Sequence, residues 1–320
     1  MELASALLIG CLLAVQASAN LQLTKGVGTP YGAAAVQLGL ATPVLLVAAA
    51  VTGSLPVNGP VTWWHLLGGL ASPLYITSGI LLFPRLGALM SVALFVTGQM
   101  FASLALDLFG LLGVPERPLT AVVALGSLAV LAGITVIVRA QRSAPAAQPV
   151  AVRAVGSAGA PPSPGPRAGA GGVGSARGGW LGLGLVAGAV LPIQGAVNAR
   201  LRAEVHEPLA VALISFTVAT VTILIVVAAT RTRFRPDLGT VPWWGWLGGL
   251  CAAVYVTGTF LLIPTLGAAT TIALTVTGQQ LASALVDHYG GFRLPRRPLT
   301  RARTGGLALL LVGGLLVQLG

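Results

Sequence analysis

The chain is written twice, and any fold it adopts has to house two copies of one pattern. Trp63-Trp64, Gly68-Gly69-Leu70, Tyr75, Pro84, Leu86-Gly87, Thr97-Gly98-Gln99, Ala102-Ser103, Asp107 and Arg117-Pro118-Leu119-Thr120 return 180 residues later, from Trp243-Trp244 to Arg297-Pro298-Leu299-Thr300. Upstream, Gln16, Asn20 and Pro30 return after 178 residues as Gln194, Asn198 and Pro208, so one short indel separates two registers. A period this long exceeds that of solenoid repeats and marks a duplicated domain.

Composition says where such a domain lives. The chain is 55% hydrophobic and 8% charged, with a mean hydropathy of +0.90. Soluble domains carry roughly 25% charged residues, so this composition describes an integral membrane protein. The net charge of +11 would suit nucleic acid, but the arginines sit in loops between apolar runs and aromatic stacking platforms are missing. Nucleic acid is therefore not an expected partner. Cys11 and Cys251 lie in apolar stretches that the repeat does not pair, and read as small packing residues. No zinc spacing, phosphate loop or His-Glu pair on a helix occurs, so neither cofactor nor metal is expected.

A spanning helix needs about 20 apolar residues. Runs at roughly 3–23, 31–53, 63–83, 86–108 and 119–138 fit the first copy, and 180–199, 209–230, 243–263, 266–286 and 304–319 the second. The expected architecture is all-α and integral to the membrane, with ten helices in two inverted five-helix repeats. The repeats are residues 1–138 and 179–320, joined by a disordered cytoplasmic linker over 139–178 that is rich in Ala, Pro, Gly and Ser. Pro73 and Pro192, unpaired by the repeat, are expected to kink their helices. Residues 3–19 imitate a cleavable signal, but Met1-Glu2 supplies no basic start, and Gly10, Gln16 and Asn20 recur inside the chain as Gly188, Gln194 and Asn198. The first run therefore reads as a retained span.

Five spans per copy put the second copy in the opposite orientation. Alternating the loops gathers 15 of the 18 basic residues on one side, leaving Arg117, Arg200 and Arg202 on the other. The positive-inside rule makes the linker side cytoplasmic and puts both termini outside. Homologous sequence with opposite charge bias is the mark of inverted repeats in transporters.

Few polar residues lie within the spans. Gln16 and Asn20 share one helix face, as do Gln194 and Asn198. Gln99, Ser103 and Asp107 form a stripe at four-residue spacing, repeated as Gln279, Ser283 and Asp287. Facing lipid would leave these amides unpaired, so the stripes point to a pathway between copies, although amides also serve as interhelical glue. Tyr75 and Tyr255 fall mid-span and either pack or offer a hydroxyl. The expected substrate cavity is Gln16, Asn20, Tyr75, Gln99, Ser103, Gln194, Asn198, Tyr255, Gln279 and Ser283. Asp107 and Asp287 are candidates for proton or ion coupling. Each lies in the last turn of its span, where that helix's dipole disfavours an anion, and the plainer reading pairs them with Arg117 and Arg293.

Taken together, the chain resembles the drug/metabolite transporter superfamily, and within it the YdcZ-like branch of bacterial inner-membrane transporters, in the fused two-repeat form. The resemblance rests on Gln-x-x-x-Asn in the first span, Trp-Trp with Gly-Gly-Leu and Tyr, and Pro-x-Leu-Gly at 84–87 and 264–267. Thr-Gly-Gln with Ala-Ser and Asp-x-x-Gly, and Arg-Pro-Leu-Thr, complete it. It implies a secondary transporter of small organic solutes working by alternating access, with the lipid bilayer, an ion and a second copy of the chain as candidate partners. Copy one departs from the pattern with Gln37 where copy two has Ser215, and with Glu116 where copy two has Arg296. The rival readings are a non-transporting membrane scaffold and, further off, an intramembrane lipid enzyme, for which the spans offer no nucleophile with its base.

Overall fold

Apolar runs bounded by prolines leave the backbone one way to satisfy its own hydrogen bonds in lipid, and the chain takes it. The structure is a computed structural model that describes residues 1–55, 61–142, 173–232, 237–293, 296 and 299–319, with side chains described outside 79–80, 83–90, 92–93, 138, 141–142, 173–177 and 318. Nine α-helices lie among the described residues, with no strand. They are α1 (Glu2–Val27), α2 (Pro30–Val51), α3 (Ala71–Leu108), α4 (Ala121–Arg142), α5 (Val173–Val205), α6 (Pro208–Ala229), α7 (Gly248–Leu266), α8 (Ala268–Tyr289) and α9 (Arg301–Leu319). Short 3-10 turns, Trp63–Leu70 and Trp243–Leu247, lead into α3 and α7. Five stretches among the described residues are long and apolar enough to cross a membrane by themselves: Glu2–Val27, Pro30–Val51, Gly178–Val205, Pro208–Ala229 and Trp243–Leu266.

The expected spans at 63–83 and 86–108 are not separate helices. They are two legs of α3, which folds back on itself: the rings of Tyr75 and Phe95 lie 4.9 Å apart, whereas a straight helix would separate them by about 30 Å. Copy two makes the same reversal with a true break, at Gly267 (φ 85°) between α7 and α8. With the two legs counted, ten helical segments are present. Pro73 stands in the first turn of α3, directly after the 3-10 turn Trp63–Leu70. Helix also runs past the expected repeat boundaries, to Arg142 in α4 and from Val173 in α5. The rest of the expected linker, 143–172, lies outside the described residues.

Packing between the copies is reciprocal. A Cβ on Gly98 would overlap the carbonyl oxygen of Leu185, and one on Gly278 that of Leu7. Gly188 meets Phe95 O in the same way, and Gly10 meets Thr275 O. Thus α1 lies on α8 and α5 lies on the second leg of α3, each pair antiparallel, and these are equivalent contacts. In α4 and α9, which are counterparts, Gly126 abuts Gly313 while Gly133 abuts Gly306, so these two helices also run antiparallel. Small residues let helix backbones approach this closely where lipid supplies no hydrophobic drive for association. The turns follow suit: Arg200 Nε donates to Leu112 O (2.8 Å) and Gln22 Nε2 to Phe292 O (3.2 Å). Leu112 and Phe292 are counterparts, both at positive φ. Thr42 and Thr220, also counterparts, share a hydrogen bond of 2.9 Å.

The outward surface stays apolar, as a lipid-facing belt must. Leu46 and Val47 on α2 and their counterparts Leu224 and Ile225 on α6 are exposed. Trp63 and Trp243, at the entrances to α3 and α7, are exposed too, which suits indole rings at the headgroup level.

Candidate substrate cavity

Because α1 and α5 cross to the opposite copy, the polar faces of both converge between the halves. The cavity there encloses about 800 Å³ of empty space, part of it open to solvent. Gln16 and Asn20 reach it from α1, Gln194 from α5, Tyr75 and Gln99 from the two legs of α3, Tyr255 from α7 and Gln279 from α8. Leu13, Leu38, Ile76, Leu191, Phe216 and Val256 supply apolar walls. None of the described residues lining it carries a charge. An apolar chamber with a few polar groups aimed inward is the usual make-up of a small-molecule site.

Three expected cavity residues lie elsewhere. Asn198 is fully buried behind the wall, with its Nδ2 donating to Ser215 Oγ at 3.2 Å. Ser103 is also fully buried and donates to Met100 O at 3.0 Å. Ser283 is half-buried on α8 outside the lining. The cavity gains two polar side chains that the sequence reading did not place there, Gln37 and Ser72. The only available signal for them was asymmetry: their counterparts are Ser215 and Ala252.

Those substitutions divide the cavity into unlike halves. In one, Gln194 and Ser72 exchange hydrogen bonds of 3.1 and 3.3 Å. In the other, Gln16 has Ala252 at the position equivalent to Ser72. Gln16 Oε1 is buried without a partner, and so are both Gln37 amide atoms, on a side chain only 2% exposed.

The two aspartates do not line this cavity, and their partners differ from the expected arginine pairings. Asp107 Oδ1 and Oδ2 accept from the backbone N–H groups of Ala268 (2.7 Å) and Ala269 (2.6 Å). Its own helix dipole does disfavour the charge, but it sits at the N-terminus of α8 in the other copy, where an anion is favoured. Arg117 helps from the side, donating from its backbone N–H to Asp107 O (2.8 Å) and from Nη2 to Thr265 O (2.9 Å). The positions equivalent to Ala268 and Ala269 are residues 88 and 89, but Asp287 turns elsewhere. It pairs with Arg303 at 2.6 Å instead of Arg293.

At one end of the molecule, Glu204 accepts from Thr62 through its hydroxyl (2.6 Å) and backbone N–H (3.1 Å), and lies 2.9 Å from His65 Nδ1. Ser54 donates to Glu207 at 3.1 Å beside it. At the other end, the equivalent place is a seat for Val241 against Gly26, with Asp237 N donating to Gly26 O at 2.7 Å.

Apolar helices around a central polar cavity built from both halves of a duplication define a multi-pass membrane transporter. A family model described as "Putative inner membrane exporter, YdcZ" matches residues 1–136 and 179–316, and the chain belongs to that family. Among solved structures, a chain titled "Crystal structure of protein" is similar in fold, with a TM-score of 0.62 and 17% identity over 99% of this chain and 95% of that one. No curated protein matches the chain.

Proposed function

We propose that the protein is a secondary transporter that moves small organic solutes out of the cell by alternating access between two inverted five-helix repeats. One observation carries this reading: Gln16 and Asn20 of α1, Gln194 of α5, Gln99 of α3 and Gln279 of α8 converge on a chamber shared by both copies. The antiparallel course of the counterpart helices α4 and α9 supports inversion, since equivalent helices of parallel repeats would run the same way. Loop contacts support the division of the loops into two sides argued from charge. Gln22 with Phe292, and Gly26 with Asp237, join loops of the basic side; Ser54 with Glu207, Thr62 with Glu204, and Arg117 with Thr265 join loops of the other.

Alternating access then has to break two unlike closures, the polar tie of Glu204 to Thr62 and His65 on one face and the apolar seat of Val241 on the other. With no charge in the lining, the solute's own interactions are hydrogen bonds and ring contacts. Asp107 anchors the start of α8 and Asp287 pairs with Arg303; ion coupling through Asp107 would require its carboxylate to leave two backbone N–H groups.

Counterflow of small neutral and cationic solutes in proteoliposomes tests the reading, with the double variant Gln99→Ala, Gln279→Ala alongside. Transport by the native protein and its loss in the variant are expected. No movement of any solute would favour a scaffold. A reporter at the carboxy terminus that works in the cytoplasm would overturn the orientation.

A further inference from the structure

A buried primary amide with neither atom bonded is costly in any protein, and more so away from water. Gln37 is such a group, and its side chain lies at the cavity wall with Gln16 Oε1, also unpartnered. The equivalent positions of the repeat show how the same fold avoids this. At the counterpart position Ser215 accepts from Asn198, and Ser72 satisfies Gln194. Gln194 and Asn198 Nδ2 of copy two are thus tied to protein hydroxyls, although Asn198 Oδ1 has no partner. Copy one carries Gln37 where copy two has Ser215, and its Gln16 has Ala252 of copy two where Gln194 has Ser72 of copy one.

Building on the transporter reading, we infer that Gln37 and Gln16 form the solute-recognition subsite, and that it takes a neutral, planar solute with an N–H donor beside a carbonyl acceptor, a lactam or carboxamide. Gln37 offers one acceptor and one donor from a single planar group, which an amide-like edge complements with two parallel hydrogen bonds. Gln16 Oε1 accepts a further N–H. The uncharged lining leaves an ion without a counter-charge, while the rings of Tyr75, Tyr255 and Phe216 offer faces to a flat molecule.

The test titrates full-length protein in nanodiscs with radiolabelled uracil, nicotinamide and tetraethylammonium, and records thermal unfolding of the empty protein. Uracil and nicotinamide are expected to bind saturably and tetraethylammonium not to. Gln37→Met should weaken both by about tenfold or more, because a site built to hydrogen-bond loses most when one side is apolar. The same variant should leave the unfolding temperature of the empty protein unchanged or raised, since the amide it removes has no protein partner. Gln37→Ser, the copy-two residue, should behave alike. Gln194→Met should lower the unfolding temperature by orphaning Ser72, and shift probe binding less than Gln37→Met does.

Three results would overturn the subsite: neither amide probe binds, the Gln37 variants bind them as the native protein does, or those variants unfold at lower temperature because the amide serves the fold through water. Amide binding without counterflow in proteoliposomes would leave the subsite standing and sink the transporter reading. Counterflow of tetraethylammonium alone would do the opposite.

Discussion

The two copies agree where backbone meets backbone and disagree where polar atoms meet. Gly98 against Leu185 and Gly278 against Leu7 are the same contact made twice, as are Gly188 against Phe95 and Gly10 against Thr275. Yet Asp107 caps a helix while Asp287 pairs with an arginine, and Gln194 is satisfied while Gln16 is not. The difference follows from what each kind of contact tolerates. A close helix crossing fails if either partner gains a methyl group, so both members of the pair are held. A hydrogen bond can be re-formed with another partner, so each copy has settled its polar atoms separately.

The sharpest way to break this comparison is to fill a crossing. Gly98→Leu should cost more than about 4 kcal/mol, because the new side chain has backbone on its far side and no flexible neighbour to displace. Gly278→Leu should be as damaging, read as loss of monodisperse protein in detergent. Tolerance of either would mean that the crossings are not equivalent.

Asp107→Ala comes next, at about 3 kcal/mol for two charge-assisted bonds to the start of α8. Asp287→Ala should cost about 1 kcal/mol, since that carboxylate is 23% exposed and water can replace much of its bond to Arg303. Thermal unfolding of the two variants side by side measures the gap. Equal losses would argue that Asp287 also holds a helix end.

These asymmetries mark the limit of what the sequence discloses. The duplication, the ten segments and seven of the residues that line the cavity are legible because hydropathy and residue identity are local properties. Asp107 was misread for its partner: the helix that stabilises its charge begins 161 residues away and belongs to the other copy. Gly184 and Gly188 match a small-residue packing pattern, but among 43 glycines such matches arise by chance. Only the crossing with Leu94 and Phe95 separates these two from the rest. Gln37 was visible as a mismatch with Ser215 and so as a place for asymmetry in a shared cavity, yet the chain alone did not show that its amide is left without a partner.

The unlike halves can also be made alike. Ala252→Ser would give Gln16 the hydroxyl that Gln194 already has in Ser72, and should stabilise the empty protein by about 0.5–1 kcal/mol. Ser72→Ala should do the reverse, by about 1 kcal/mol, leaving the Gln194 amide as bare as that of Gln16. If Ala252→Ser stabilises the protein and slows transport together, the unpaired amide of copy one is kept for the solute rather than for the fold.

The smallest effect belongs to a polar contact between counterpart residues of the two copies. Thr42 and Thr220 meet across the axis relating the halves, and Thr42 Oγ1 also donates to Leu38 O at 2.9 Å. Because each hydroxyl keeps a helix carbonyl within reach, Thr42→Val should cost only about 0.6 kcal/mol, near the average for interhelical bonds in membranes. Thr220→Val should match it, and the double variant should cost less than the sum, since the second change removes a bond already lost. Additive losses would mean that the two hydroxyls stabilise their own helices and do nothing to join the copies, which the glycine crossings and the other cross-copy hydrogen bonds would then hold.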